Sequence, residues 1–436
     1  MPSDGPSLIL APQRAGVVAG EPVALDVLVR VQAPDAPPAG RAARAPLHLA
    51  LVIDRSGSMQ GRPLEEAKRC AIDVVEHLSP RDRVAVVAYD DRVVITHAAA
   101  PVTDVARLRR QIAAIHCGGS TALHAGWVAG AQQLLPSVRP DALSRVLLLS
   151  DGQANHGVVD PGIIANQAAE LAALGVTTST YGLGHEFNED LMTAMARAGE
   201  GNARYGETAD DLREPFATEL ALLDALWAKR VTLRITALPG IAVTMCNDYP
   251  EVAPRAWRLP SIAFGSEAWA LLSVRGAVPH GEEAELLRAA VSYETMDGQP
   301  FELEVPSLVV PVVRRDQWGA LGIDELVARR RGELEVARLQ MDANAAALDG
   351  DWARVDELLA EARRLAAENP WLAEVIEELE GLARLRDELR FRKETRYQSE
   401  FVRGRLAAKC ESPELAAEAL RLAYLQRKKR MGKAER

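Results

Sequence analysis

At 436 residues the chain exceeds what one ordinary hydrophobic core holds, and its length is that of two or three domains. Apolar residues make up 48% and charged residues 26%, a globular balance that excludes wholesale disorder. With 51 basic against 61 acidic residues the net charge is −10, which argues against nucleic acid as a partner.

The start, Met1-Pro2-Ser3-Asp4-Gly5-Pro6, has neither the basic n-region nor the apolar h-region of a signal peptide. No apolar run is long enough to span a bilayer, so no membrane segment is expected. Cys70, Cys117, Cys246 and Cys410 show neither metal-ligand nor redox spacing, and the cytoplasm is the expected compartment.

Residues 7 to 12 and 22 to 32 read as strands, the second alternating through Val23, Leu25, Val27, Val29 and Val31. The Pro/Ala/Arg/Gly stretch 33 to 46 reads as a linker. Leu47 to Ile53 is a continuous apolar run, the pattern of a strand buried on both faces of a parallel sheet. It runs into an oxygen-rich loop, Asp54-Arg55-Ser56-Gly57-Ser58-Met59, and then a helix from Pro63 to about His77. A second buried strand is expected over 83 to 90 and a short edge strand over 93 to 96. Helical periodicity follows over 105 to 115 and 122 to 135, with Gly118-Gly119-Ser120-Thr121 just before the latter. The apolar run Val146 to Leu149 leads into Ser150-Asp151-Gly152. Helices at 161 to 174, 188 to 198 and 210 to 223 then alternate with strands at 176 to 181 and 203 to 206. This β-α alternation predicts a doubly wound, mostly parallel α/β sheet, whose post-strand loops share one edge.

From Ala228 the period changes to two. Runs at 231 to 235, 268 to 274, 284 to 293 and 301 to 313 predict an antiparallel β sandwich. Strands 7 to 32 have no core of their own and are expected to join it, making the α/β domain an insertion. The expected domains are therefore 1–45 (N-terminal strands of the sandwich), 46–226 (α/β), 227–315 (sandwich) and 316–436 (helical).

In the last segment, Leu334, Ala337, Met341, Ala345 and Leu348 form one stripe. Trp352, Val355, Leu358, Leu359, Ala362 and Leu365 form a second, and Leu372, Val375, Leu379 and Leu382 a third. Ser412-Pro413 is a good start for a fourth helix. The basic run Arg427 to Lys433 reads as a solvated helix end or a contact for acidic surfaces.

Asp-x-Ser-x-Ser, a Thr and an Asp, each on a loop at one sheet edge, resemble the metal-ion-dependent adhesion site of the von Willebrand factor type A family. The resemblance covers roughly residues 46 to 226 and places Asp54, Ser56, Ser58, Thr121 and Asp151 in its five coordinating positions. Carboxylates and hydroxyls are hard oxygen donors, which suit Mg²⁺ or Mn²⁺. The resemblance implies an ion that completes its shell with an acidic residue of a protein partner, and no catalysis by this chain. It also implies a closing helix, 210 to 223, that can shift with the site's ligands. By analogy alone, chains of this layout work beside AAA+ ATPases of the MoxR type, proteases or other effectors.

Other readings stay open. Ser56 and Ser58 could simply cap the next helix. A metal-assisted hydrolase could use the same ion to activate water, although no nucleophile elbow surrounds Ser56 or Ser120 and no phosphate-binding glycine loop exists. A metal-independent scaffold is the third. His116, His124, His156 and His185 fall near the same loops without ligand spacing, and are read as loop residues.

Overall fold

The computed structural model describes residues 5–37, 44–151, 154–183, 188–206, 209–277, 281–305, 307–367, 369–403 and 407–408. Gly152, His185, the Ser412-Pro413 helix start and the basic run at 427–433 lie outside the described residues. The chain forms two compact units: Ala42–Ala225 with Met296–Gly298, and Met1–Arg41 with Leu226–Thr295 and Gln299–Arg436. The segments 227–315 and 316–436 thus fall in one unit together with the N-terminal strands.

The chain opens with β1 (Ser7–Pro12), β2 (Val17–Val18) and β3 (Val23–Gln32). The first unit then runs β4 (Leu47–Asp54), α1 (Arg62–His77), β5 (Arg83–Tyr89), β6 (Val93–Pro101), α2 (Val105–Ala113), α3 (Leu123–Leu134) and β7 (Leu143–Ser150). It continues with α4 (Pro161–Ala173), β8 (Val176–Leu183), α5 (Glu189–Ala198), β9 (Ala203–Gly206) and α6 (Ala209–Asp224). Next come β10 (Leu226–Ala237), β11 (Ile241–Met245), β12 (Glu251–Ala253), β13 (Ala256–Arg258), β14 (Ile262–Ala263), β15 (Ser266–Gly276), β16 (Glu283–Thr295), β17 (Pro300–Glu304) and β18 (Leu308–Val313). Helices α7 (Arg315–Ala320), α8 (Glu325–Leu348), α9 (Trp352–Ala366), α10 (Pro370–Leu385) and α11 (Glu388–Arg403) follow, then β19 (Ala407–Ala408).

The α/β unit is built on one sheet ordered β6-β5-β4-β7-β8-β9. Every pairing is parallel except the antiparallel edge β6 on β5. All eight residues of β4 are buried, which is why the strand reads as an unbroken apolar run. Helix α3 lies directly on the sheet. A Cβ on Gly126 would fall 2.4 Å from the Tyr89 ring, and one on Gly130 would fall 2.3 Å from Val52 Cγ2, so neither site admits a side chain. The chain enters and leaves this unit at neighbouring points, because Arg44 pairs with Asp224 at 2.6 Å just after α6 begins to end. Arg44 also grips both carboxylate oxygens of buried Asp82 at 2.7 Å, and Asp82 in turn accepts the Leu47 and Ser79 N–H groups. Such closeness of the ends is what an inserted domain requires.

The other unit is a sandwich with helices against it. One sheet runs β1-β3-β15-β11, the other β12-β13-β10-β16-β18-β2. Strand β3 pairs with β15 over Val23–Gln32, so the N-terminal strands complete this sheet, as their lack of a core of their own implied. Val27, Val29 and Val31 of β3, together with Ala270 and Leu272 of the neighbouring β15, share the core between the sheets with Val231 and Leu233 of β10. The opposite face of the same strands, Leu28, Trp269 and Leu271, packs on Val327 and Leu334 of α8. The run expected over 301 to 313 is broken into β17 and β18, both paired with β16.

Two helical stripes differ from expectation. On α8, Leu334 and Ala337 of the expected stripe are buried, but Ala345 is exposed and Leu348 is 58% exposed; the other buried residues are Val327, Arg330, Glu333, Val336, Leu339, Gln340, Ala343, Asn344 and Ala347. The helix has two partners, the sheet at its start and α9 with α11 further on, so its buried face rotates along its length. On α9, Leu365 is exposed and Ala366 is buried in its place. Helix α11 is not among the expected helices, and most of its buried face is polar. Besides Phe391 it buries Lys393, Glu394, Thr395, Gln398 and Ser399, so hydrophobic periodicity could not find it.

Candidate metal centre

Strand β4 ends in Asp54, whose side chain is fully buried. One carboxylate oxygen accepts the Ser56 N–H at 2.8 Å, and the other accepts the hydroxyls of Tyr89 at 3.1 Å and Ser150 at 2.5 Å. Three donors therefore fix the carboxylate and leave it about one further lone-pair site. Two residues on, the Ser56 and Ser58 hydroxyl oxygens lie 3.1 Å apart. Ser56 and Thr121 are buried to 1% exposure, whereas Ser58 is exposed. Asp151 follows β7 at the same edge and is 8% exposed. A place on a loop edge would leave Asp54 and Ser56 facing solvent, yet both are buried; of the two serines only Ser58 is exposed.

Backbone bonds stitch the three loops together. The Gly57 N–H donates to the Gly119 carbonyl at 2.8 Å and the Gly118 N–H to the Arg55 carbonyl at 2.7 Å. The Thr121 carbonyl accepts the N–H groups of Asn155 and His156 at 3.2 Å, and the Thr121 N–H donates to Asn155 Oδ1 at 2.8 Å. Asp90 is the central staple. It pairs with Arg55 at 2.9 Å and accepts the N–H groups of Gly119 and Arg92. Burial opposes its charge, but the Arg92 and Gly119 N–H groups and the Arg55 guanidinium hold its carboxyl below the usual range. A Cβ on Gly118 would fall 1.7 Å from Asp90 Oδ2, so a glycine is required there.

The electrostatics suit a cation. Burial, and then the charge of neighbouring Asp151, push the Asp54 carboxyl up to about 6 in spite of the Ser150 and Ser56 hydrogen bonds. Burial likewise raises the Tyr89 hydroxyl, which stays neutral and donates to Asp54. An octahedral shell with Mg²⁺–oxygen distances near 2.1 Å separates adjacent oxygens by about 3 Å. The 3.1 Å between the Ser56 and Ser58 oxygens matches that edge, and the donor set is all hard oxygen. The residues present fit Mg²⁺ or Mn²⁺.

Residues 48–217 match the family model of the von Willebrand factor type A domain. The inserted unit carries a von Willebrand factor type A domain. An uncharacterized protein of Synechocystis sp. is 29% identical over 216 residues, which are 50% of this chain and 51% of that protein, so the chain spans about half of this relative's length. Inter-alpha-trypsin inhibitor heavy chain H4 of Sus scrofa is 26% identical over 330 residues, 72% of this chain and 34% of that one. Among solved structures, the von Willebrand factor type A protein from Catenulispora acidiphila superposes with a TM-score of 0.71 at 19% identity, over 86% of this chain and 90% of that one. The ArnB paralog VWA2 from Sulfolobus acidocaldarius gives 0.61 at 17% identity, over 93% and 100%. At these identities the structural likeness carries the fold, and it extends past the von Willebrand factor domain to the flanking unit.

Sequence reasoning missed Tyr89, Ser150 and Asp90, although each stands within a residue of the end of a predicted strand at this edge. A polar head closing a buried strand was the available signal. Among the described histidines none joins a metal-ligating group. His116 and His156 are exposed, His124 is bonded to Gln167, and the described residues hold no group of three or more His, Cys, Asp or Glu able to take a metal. Trp227, Trp257 and Trp269 are buried, as expected of core residues, while Trp318 is half-buried beside Arg14 and Arg315. No helix among the described residues is long and apolar enough to cross a membrane.

Proposed function

We propose that this chain is a metal-dependent protein-binding component and performs no catalysis itself. Von Willebrand factor type A domains typically mediate protein–protein interaction. Here Ser56, Ser58 and Thr121 would hold Mg²⁺ or Mn²⁺, with Asp54 and Asp151 close by, directly or through water. When bound, the ion would offer an electron-poor position to a carboxylate of an Asp or Glu on a partner protein. The protein's own residues do the rest. Asp54 is aimed by Tyr89, Ser150 and the Ser56 N–H, and the loops are held at fixed spacing by Asp90 with Arg55. The observation that carries the reading is the 3.1 Å pair of serine hydroxyls beside a buried, pre-oriented carboxylate.

Binding is favoured over metal-assisted hydrolysis because Asp54 and Asp90 are both spent on structural bonds, and Asp151, the third buried carboxylate at this edge, would itself belong to the ion's ligand set. None is free to act as a general base. The described cysteines Cys70, Cys117 and Cys246 are free thiols, which supports the cytoplasm as the working compartment. A role beside a MoxR-type AAA+ ATPase, a protease or another effector remains part of the proposal by analogy.

The test is a calorimetric titration of the folded chain with Mg²⁺ and Mn²⁺, followed by retention of a partner from host lysate with and without chelator. The expected result is metal binding and a partner released by chelator. A folded chain that binds neither ion near millimolar concentration, or a partner held equally by Asp54→Ala in chelator, overturns the metal bridge. Turnover of a substrate lost with the same substitution would favour the hydrolase.

A further inference from the structure

The edge strand β6 is protected over one half of its length and open over the other. Its outer side would otherwise present a row of unpaired backbone groups, a template for any extended chain. Towards its end the strand is closed by side chains: the Thr96 carbonyl accepts from Gln111 Nε2 at 3.1 Å, the Ala99 N–H donates to Gln133 Oε1 at 3.2 Å, and the Ala99 carbonyl accepts from Arg83 at 3.0 Å. Over Val93–Ile95 no such closure exists among the described residues. These three apolar side chains are 37%, 44% and 48% exposed, in the half of the strand next to the donor loops.

The backbone direction follows from the register. The Asp90 N–H donates to the Arg92 carbonyl at 3.0 Å, so that pair is hydrogen-bonded. Antiparallel alternation then makes Ala88↔Val94 a bonded pair, while Tyr89↔Val93 and Val87↔Ile95 are not. Val93 and Ile95 therefore turn their N–H and C=O groups outward, away from β5. Their side chains share one face of the sheet. This open half also adjoins the donor loops. Asp91, two residues before Val93, lies against Gly119, where a Cβ would fall 2.6 Å from Asp91 Oδ1. Gly119 is bonded to Gly57, between the two serines. Two extended residues span only about 7 Å.

We propose that Val93–Ile95 of β6 is a docking strand for an extended segment of the partner protein. That segment pairs with the outward N–H and C=O groups, places apolar side chains against Val93 and Ile95, and carries an Asp or Glu onto the donor loops. This deepens the proposed function and rests on it for the acidic residue, but not for the strand pairing. A second copy of β6 is the poorer occupant. In an antiparallel self-pair centred on Val94, Asp91 of one copy lies opposite His97 of the other, at the end of the strand away from the donor loops.

The probe is a phage-displayed library of nine-residue peptides with a fixed central Glu, selected on the full chain in Mg²⁺. The expected result is enrichment of β-branched apolar residues at alternate positions flanking the Glu. Selected peptides should lose at least about tenfold in affinity for Ile95→Pro, which removes an outward N–H and no bond to β5. Val93→Lys, a charge that edge strands tolerate, should act alike. Mg²⁺ binding and the unfolding midpoint of both variants should match the wild type. Peptides without that alternation, equal binding to wild type and both variants, or a dimer that Ile95→Pro dissolves would overturn the docking strand. Peptide binding that survives chelator and Ser58→Ala but is lost in Ile95→Pro would uphold it and sink the metal bridge instead.

Discussion

Ser58 is the donor whose removal can be read most cleanly, because its side chain is exposed and its one side-chain bond among the described residues is to Ser56. Ser58→Ala is expected to weaken Mg²⁺ binding about tenfold or more in a calorimetric titration, with no change in the unfolding midpoint. Asp54→Ala is expected to abolish Mg²⁺ binding, but it also leaves the buried Tyr89 hydroxyl without its acceptor. That costs about 1–3 kcal/mol in chelator, partly offset by relief of repulsion from Asp151. Asp90→Ala touches no donor. It removes the ion-pair partner of Arg55 and frees the Gly119 N–H, so it is expected to lower metal affinity by loosening the loops while Ser58→Ala leaves them intact. A loss of amide protection at Gly118 and Gly119 in Asp90→Ala, absent in Ser58→Ala, checks the distinction. The five oxygen-bearing residues and their common sheet edge were legible in the sequence, because strand, loop and residue type coincide there. Tyr89, Asp90 and Ser150 were not, because what they do at the site depends on partners 29 to 96 positions away in the chain, which no local pattern encodes.

Among the elements, the start of β4 and the end of α6 are tied through Arg44 and the buried carboxylate of Asp82 that it grips. Burial works against the charge of Asp82, yet Arg44, the Leu47 and Ser79 N–H groups and the Ser79 hydroxyl bring its pKa down to about 2. A depressed folded-state value means stabilisation that is full above the unfolded pKa near 4 and is lost as pH falls through about 2. The amount is on the order of 2 kcal/mol. Comparing Asp82→Asn with wild type by denaturant unfolding should show a difference that is constant above pH 5 and shrinks towards pH 2. Helix α6 is pinned at mid-length by Glu219, fully buried, which accepts from Arg145, Ser179 and Asn202. Glu219→Ala strands the Arg145 guanidinium in the interior and is expected to cost about 3–5 kcal/mol, measured the same way. Elements with one partner and one period were visible in the sequence. Helices α8 and α11 were misread or unread because the first changes partner along its length and the second buries polar groups.

At the scale of the whole molecule, the insertion was legible from two facts: strands 7 to 32 could not close a core, and the α/β segment had neighbouring ends. Deleting residues 1–32 removes β1, β2 and β3 and leaves β15 without its β3 neighbour, so sandwich amides should lose hydrogen-exchange protection while the α/β sheet keeps its own. The domain boundaries were less visible, since α8 packs on the sandwich sheet and composition shows no seam between strands and helices. The pairing of β3 with β15 has a further consequence in time. Arg30 and Glu267, bonded across that pair, lie 237 residues apart. At about 5–20 residues per second of synthesis, β3 waits on the order of 10–50 s for its neighbour to leave the ribosome. During that interval Val27, Leu28, Val29 and Val31, all fully buried in the finished protein, have nothing to bury against except the nascent chain or a chaperone.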